Sequence, residues 1–167
     1  EGPVALKHLL REVRTEDVLG RLVLVPVLNV AAFHVGQRES SGDDGFNLNR
    51  VFVEGAGVTP AMAGITHRIA AFVRQCIWPH VHICIDLHSG GEVARFAHWT
   101  GFFTCADAAL SQRREEMARW FGTRIVLAGS NTPPDGISRG LYNEADDLGK
   151  FSIGTELGYG ASTDVSG

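Results

Sequence analysis

The sequence predicts an α/β layer fold whose sheet is mixed and largely parallel. Segments with apolar residues at helical spacing alternate along the chain with short runs rich in β-branched and aliphatic residues. The 167 residues, 44% of them hydrophobic, suffice for one globular domain with a packed core. In such sheets, functional sites gather beyond the carboxyl ends of the strands.

Helical spacing accounts for four segments. The first begins behind Pro3, a residue favoured in the first turn of a helix, and Thr59-Pro60 supplies a cap and first-turn pair for the second. The predicted helices cover residues 4–13, 59–78, 108–121 and 138–148.

Apolar runs between these helices predict the strands. Pro26 removes one ladder hydrogen bond from the first of them and indicates an edge position or a local bulge. Residues 29–54 carry glycines and asparagines without sustained periodicity and predict a long loop, a kind of segment that is usually functional. The predicted strands cover residues 21–28, 81–87, 101–105, 124–127 and 151–157.

Composition excludes several classes of function. The net charge is −4 and there is no basic block, so we expect no nucleic-acid partner. The longest apolar stretch, residues 22–32, is interrupted and far shorter than the roughly 20 residues of a membrane-spanning helix. The three cysteines lack CxxC spacing and suit reduced thiols in a cytosol. We expect a cytoplasmic protein that acts on a small molecule and binds no membrane, with homo-oligomerisation left open.

The first chemical motif is Asp86-Leu87-His88-Ser89-Gly90-Gly91, a polar cluster that directly follows a hydrophobic strand. The alternation of a strand places Asp86 and His88 on the same side. In one interpretation His88 binds a metal and Asp86 orients its imidazole. In the other, the two side chains only hydrogen-bond to each other in a tight turn.

The second motif lies in the long loop, where Asn49 and Arg50 follow Arg38. A guanidinium beside an amide suits a carboxylate, because arginine can bind two oxygens and asparagine adds a donor. The alternative is a loop built on Asx turns with a solvated arginine. Asp43-Asp44 lacks the remaining positions of a calcium loop, so we expect a solvated turn there.

The third motif is Thr155-Glu156-Leu157-Gly158, a lone carboxylate at the end of an apolar strand. Partial desolvation would raise the pKa of Glu156, as a general base near neutral pH requires. The alternative is a glutamate in a salt bridge or a helix cap.

Together these motifs resemble the succinylglutamate desuccinylase/aspartoacylase family, the acyl-amino-acid branch of the zinc carboxypeptidase-like hydrolases. The resemblance implies a three-layer α/β/α fold and a zinc cofactor. Within the family, the sequence of these motifs is most similar to the N-acetyl-diaminobutyrate deacetylase subgroup. The segments that carry the resemblance are RLVLVPVLN, GFNLNRVF, IDLHSGG and GTELGYG, in the family's order.

The resemblance implies a role for each candidate residue. His88 would be the third protein ligand of a catalytic zinc, which leaves the fourth position for water. Glu156 would be the general base that deprotonates this water and later protonates the leaving amine. Asn49 and Arg50 would hold the substrate carboxylate, and Arg38 would polarise the scissile carbonyl and stabilise the oxyanion.

The sequence departs from the family pattern at its ends. The family's other two zinc ligands belong to an HGxE motif, which we expect upstream of Glu1, and Glu1 itself does not match the ligand position. We therefore expect residues 1–167 to be a partial catalytic domain, truncated at both ends, that lacks the metal-motif strand and the C-terminal β domain. One imidazole does not hold zinc at catalytic affinity, so we expect the fragment alone to be inactive. Val53-Glu54 also replaces the family's usual Pro-Gly.

The predicted function is zinc-dependent hydrolysis of the amide bond of an N-acyl amino acid. Two alternatives remain open. One is a zinc carboxypeptidase that acts on peptides, and the other is a non-catalytic remnant without the HGxE motif. The sequence leaves the acyl group, the amino acid and the metal loaded in the cell undetermined.

Overall fold

A four-stranded mixed sheet forms the centre of the molecule in the computed structural model, which describes residues 2–53, 64–132 and 139–158. The order across the sheet is β1-β4-β2-β3. β1 with β4 and β2 with β3 are parallel pairs, whereas β2 and β4 are antiparallel. The predicted mixed, largely parallel sheet is therefore confirmed. The strands are β1 (Ile83–His88), β2 (Trp99–Phe103), β3 (Ile125–Gly129) and β4 (Phe151–Glu156).

Five α-helices surround the sheet in the described ranges. α3 continues through a π-type turn, Val73–Ile77, into the 3-10 turn Trp78–His80, and further 3-10 turns lie at Thr15–Asp17 and Leu48–Arg50. The predicted cap Thr59-Pro60 lies outside the described residues. None of the helices that the structure describes has the length and apolarity needed to cross a membrane. The helices are α1 (Gly2–Glu12), α2 (Val30–His34), α3 (Ile65–Phe72), α4 (Ala108–Trp120) and α5 (Leu141–Asp147).

The helices cover both faces of the sheet. Neighbouring residues of a strand point to opposite faces, and Ile153 follows Ser152, which is the register partner of Cys84. Cys84 packs with α3 and α5, whereas Ile153 packs with Ala118 of α4. The expected α/β/α layering is therefore present. The two buried clusters are Val51, Phe52, Ala70, Val73, Trp78, Cys84 and Ala145 on one face, and Phe102, Ala118 and Ile153 on the other.

The predicted strand at residues 21–28 is wrong, because this segment is neither strand nor helix. Leu22, Val23 and Val25 are partly exposed, and no strand in the described part of the chain pairs with the segment. Strand propensity reflects packing against a neighbouring strand, so an apolar run without a ladder partner does not become one. Pro26 also lacks the N–H that a ladder requires.

The predicted loop at residues 29–54 contains regular structure that periodicity did not reveal. Asn29 caps α2, since its Oδ1 accepts a hydrogen bond from the Ala32 N–H at 3.1 Å. The expected turn at Asp43-Asp44 is present and Asp43 is exposed, but the two carboxylates are not merely solvated. Asp43 Oδ1 accepts from the Ile65 N–H at 2.8 Å, and Asp44 Oδ2 accepts from the Thr66 N–H at 2.9 Å. Both carboxylates therefore cap the first turn of α3, which supplies free N–H groups.

Candidate active site

The register of three strands brings the candidate residues together. His88 and Glu156 are direct partners in the parallel pair of β1 and β4, and Glu156 is also the antiparallel partner of Trp99 in β2. Directly paired residues point to the same face of a sheet, so these three side chains are neighbours on one face. Asp86, two residues before His88, shares that face. We call Asp86, His88 and Glu156 the strand-end cluster.

The strand-end cluster holds one close polar pair and one buried carboxylate oxygen that no described residue contacts by a hydrogen bond. His88 Nε2 lies 2.9 Å from Asp86 Oδ2, so the imidazole and this carboxylate form a close ion-pair contact. These two atoms are buried, and Glu156 Oε2 is also buried but has no hydrogen-bond partner in the described part of the chain. Buried polar atoms are normally satisfied, so this arrangement is typical of a site that takes a ligand.

Burial and neighbouring charges shift the pKa of both central groups. Burial lowers the pKa of the His88 imidazole, but contact with the Asp86 carboxylate and the negative charge of Glu156 outweigh it, so the pKa is raised. Burial raises the pKa of the Glu156 carboxyl above its ordinary value of 4.5, and the opposing positive charges of His88 and Arg38 do not cancel this effect. This is the direction that the sequence predicted for Glu156.

Arg38 lies near the strand-end cluster although it is far from it in sequence. Its positive charge acts on both His88 and Glu156. The side chain is exposed, in the segment between α2 and the Glu39–Asn47 bridge. Its guanidinium can therefore meet a negative charge that develops beside Glu156.

Asn49 contacts the start of α5, and Arg50 contacts Asn49. Asn49 Oδ1 accepts a hydrogen bond from the Leu141 N–H at 3.1 Å, at the first residue of α5. A Cβ at Gly140 would lie only 2.3 Å from the same oxygen, so Gly140 permits this close approach. Arg50 Nη1 donates to the Asn49 carbonyl at 2.7 Å, and Arg50 is exposed. The described contacts thus give Asn49 a structural role that the sequence did not reveal.

The structure adds Tyr142 to this neighbourhood. Its ring stacks on Phe103 with centroids 4.6 Å apart, and a Cβ at Gly154 would lie 3.4 Å from the ring. Burial raises the pKa of the Tyr142 hydroxyl, and the negative charges of Asp86 and Glu156 raise it further. The available signal was Gly154, because a glycine two residues before Glu156 leaves room for a large neighbour on the same face.

The described residues do not supply a complete metal site. His88 fits one position, because a half-buried imidazole beside a carboxylate is a common zinc ligand. However, no group of three His, Cys, Asp or Glu side chains in residues 2–53, 64–132 and 139–158 is arranged to hold an ion. A structural or catalytic zinc needs at least three protein ligands.

Comparison with known proteins gives the same family as the motifs. Residues 1–165 match the succinylglutamate desuccinylase/aspartoacylase catalytic domain. The chain is 31% identical over 164 residues to N-alpha-acetyl-L-2,4-diaminobutyric acid deacetylase from Halomonas elongata. This alignment covers 98% of the chain and 45% of the relative, so the chain spans about half of the length of the relative.

Solved structures agree with this assignment. The chain is similar to the product-bound ectoine utilization protein EutE (DoeB) from Ruegeria pomeroyi, with 32% identity and a TM-score of 0.80 over 98% of this chain and 47% of that one. It is also similar to a succinylglutamate desuccinylase/aspartoacylase from Rhodobacter sphaeroides, with 28% identity and a TM-score of 0.79 over 98% of this chain and 46% of that one. The chain belongs to the succinylglutamate desuccinylase/aspartoacylase family.

Proposed function

We propose that this chain is the catalytic part of a zinc-dependent hydrolase that cleaves the amide bond of an N-acyl amino acid. The main support is the in-register pair of His88, whose imidazole lies against Asp86, and Glu156, whose buried Oε2 has no hydrogen-bond partner among the described residues. Family membership supports the reaction class, because the relative from Halomonas elongata is named as a deacetylase of an N-acetylated amino acid.

Glu156 is the general base in this proposal. Its pKa, raised first by burial, favours proton transfer near neutral pH more than an ordinary exposed glutamate would. The carboxylate takes a proton from the attacking water and passes it to the departing amine, so it is regenerated at the end of the cycle. Arg38 meets the negative charge that forms on the carbonyl oxygen during attack.

His88 is one ligand of the zinc ion in this proposal. Because Asp86 lies against Nε2, the other ring nitrogen, Nδ1, is left for the metal, and the carboxylate fixes the orientation of the ring. The remaining two ligands are proposed to precede Glu1. Bound zinc would polarise the scissile carbonyl and acidify water.

Asn49 and Arg50 are proposed to bind the carboxylate of the substrate. The Asn49 oxygen is occupied by the Leu141 N–H, and its Nδ2 group, which can only donate, makes no hydrogen bond within the described ranges. The Arg50 guanidinium retains further donors beyond the one bound to the Asn49 carbonyl. An acceptor-only anion matches such a pair.

The proposed substrate is a small N-acyl amino acid, and the proposed location is the cytoplasm, with neither nucleic acid nor membrane as a partner. Homo-oligomerisation is compatible with this proposal. A non-catalytic remnant is the second candidate, favoured by the incomplete ligand set of the described residues. We expect residues 1–167 alone to show no hydrolysis.

The test is hydrolysis assayed with the complete protein. Purified protein is loaded with zinc and assayed for amine release from a panel of N-acetyl amino acids, and in parallel from short peptides with a free C-terminus. The proposal predicts turnover of acyl amino acids that a chelator abolishes and added zinc restores. Preference for peptides would support a carboxypeptidase, and no turnover of either class would support the remnant.

A further inference from the structure

The side-chain amide of Asn29 hydrogen-bonds to both ends of the segment that contains Arg38. Asn29 Oδ1 accepts from the Ala32 N–H at 3.1 Å, where the segment begins, and Asn29 Nδ2 donates to Ser40 Oγ at 2.8 Å, where it ends. The Gln37 N–H also donates to the Ala32 carbonyl at 3.0 Å. Arg38 therefore lies on a segment whose two ends both hydrogen-bond to the side chain of Asn29.

The closure continues as a one-way chain of hydrogen bonds into α3. Thr66 Oγ1 donates to the Asp44 carboxylate at 2.8 Å, and its oxygen lies 2.8 Å from Ser40 Oγ. Because a carboxylate only accepts, the Thr66 proton goes to Asp44, and the Ser40 hydroxyl therefore donates to Thr66. Ser40 in turn accepts from Asn29, so every member of the chain is satisfied in one direction.

The hydroxyl groups in this series of hydrogen bonds are buried, whereas Arg38 is exposed. Ser40 and Thr66 are 1% and 0% exposed, while Arg38, two residues before Ser40, is exposed. The backbone of Ser40 is also fixed, since its N–H donates to the Phe46 carbonyl and its carbonyl accepts from the Gly45 N–H. Polar networks that are buried and fully satisfied rigidify their surroundings.

We propose that Asn29, Ser40 and Thr66 are positioning residues for Arg38, and that their hydrogen-bonded chain holds its guanidinium at the strand-end cluster. The inference rests on the proposed role of Arg38 in hydrolysis. An exposed arginine on an unfastened loop would sample many positions, and stabilisation of a transition state requires a donor that is already in place. None of the three positioning residues needs to touch the substrate.

A double-mutant cycle in the complete protein tests this proposal. Ser40→Ala and Thr66→Val are each made alone and together with Arg38→Ala, and kcat and KM are measured on an N-acetyl amino acid. We expect each single variant to lower kcat about tenfold or more with little change in KM, as misplacement of a catalytic group does. In the Arg38→Ala background neither should lower kcat further, because the group that they position is gone.

The matched control is Thr100→Val. Thr100 is also 0% exposed, and its Oγ1 lies 2.8 Å from the partly buried Thr123 hydroxyl, so the substitution likewise removes one member of a hydroxyl pair. We expect near-normal kcat for this control. Thr66→Ser, which keeps the hydroxyl, should restore activity relative to Thr66→Val. If Thr66→Val does not fold, Ser40→Ala still completes the cycle.

The outcomes separate this inference from the proposed function. A normal kcat in Ser40→Ala, or losses that add to that of Arg38→Ala, would overturn positioning while leaving the hydrolase intact. A control variant that loses as much kcat as Thr66→Val would also overturn it. If Arg38→Ala retains full activity, or the complete protein has none, the proposed role of Arg38 fails and the positioning inference falls with it.

Discussion

Asn49→Asp separates the two roles that the structure gives to Asn49. The wild-type amide is held by the Leu141 N–H at 3.1 Å and by the close backbone of Gly140, so its oxygen faces α5 and its Nδ2 faces away. An aspartate at this position keeps an oxygen acceptor for the Leu141 N–H. It replaces the free donor by a second negatively charged oxygen, which repels a substrate carboxylate.

The size of the effect follows from the contacts that change. A hydrogen bond to a charged group contributes about 1.5–3 kcal/mol, so its loss alone predicts a rise in KM of about 10- to 150-fold. The free energy of unfolding should stay within about 0.5 kcal/mol of the wild type, since the helix start keeps its acceptor. Asn49→Ala also removes that acceptor, and we expect it to destabilise the protein by about 1 kcal/mol.

The assay compares an N-acetyl amino acid with its C-terminal amide, which lacks the carboxylate. We expect Asn49→Asp to raise KM for the acid and to leave KM for the amide nearly unchanged, with urea unfolding as the check on stability. Arg50→Ala should show the same preference, because its guanidinium binds the same group in this proposal. Equal effects on both substrates, or an unchanged KM for the acid, would refute carboxylate binding by Asn49.

Three further predictions concern stability, pH and packing. Arg114 is 3% exposed and its guanidinium pairs with the Asp146 carboxylate at 2.5 Å, so Arg114→Met should lower the free energy of unfolding in urea by about 3 kcal/mol. Adding Asp146→Leu should recover most of this loss, and equal stability of the single and double variants would contradict the prediction. Glu156 must be deprotonated to act, and burial raises its pKa, so kcat/KM should fall with decreasing pH through a value above 4.5; an acid limb at or below 4.5 would argue against this base. Gly154→Ala places a Cβ 3.4 Å from the stacked Tyr142 ring, and we expect a loss of about 1 kcal/mol and a lower kcat; wild-type values for both would show that the ring has room to move.

Local signals in the sequence were sufficient to predict the strands of the described sheet and the polar residues that end two of them. The runs predicted at residues 81–87 and 151–157 correspond to β1 (Ile83–His88) and β4 (Phe151–Glu156), because apolar strands bounded by glycine leave a strong local pattern. Their pairing was not in the pattern, yet parallel strands of an α/β sheet share a carboxyl edge. That rule was enough to expect His88 near Glu156.

Features that depend on distant partners could not be predicted. Asn49 binds a backbone group 92 residues away, and Asp44 caps a helix 22 residues further along the chain. Neither partner is visible in a local window. The run at residues 21–28 shows the converse, because its strand-like composition was not matched by a neighbouring strand in the described part of the structure.

The most direct test of the central claim is the zinc content of Glu156→Gln in the complete protein, measured together with its turnover and compared with His88→Ala. The account predicts that Glu156→Gln keeps a full complement of zinc while kcat falls by several orders of magnitude, and that His88→Ala loses the metal. The control Glu115→Gln, on an exposed face of α4, should match the wild type in both respects. Near-normal turnover of Glu156→Gln, or full zinc retention by His88→Ala, would contradict the account.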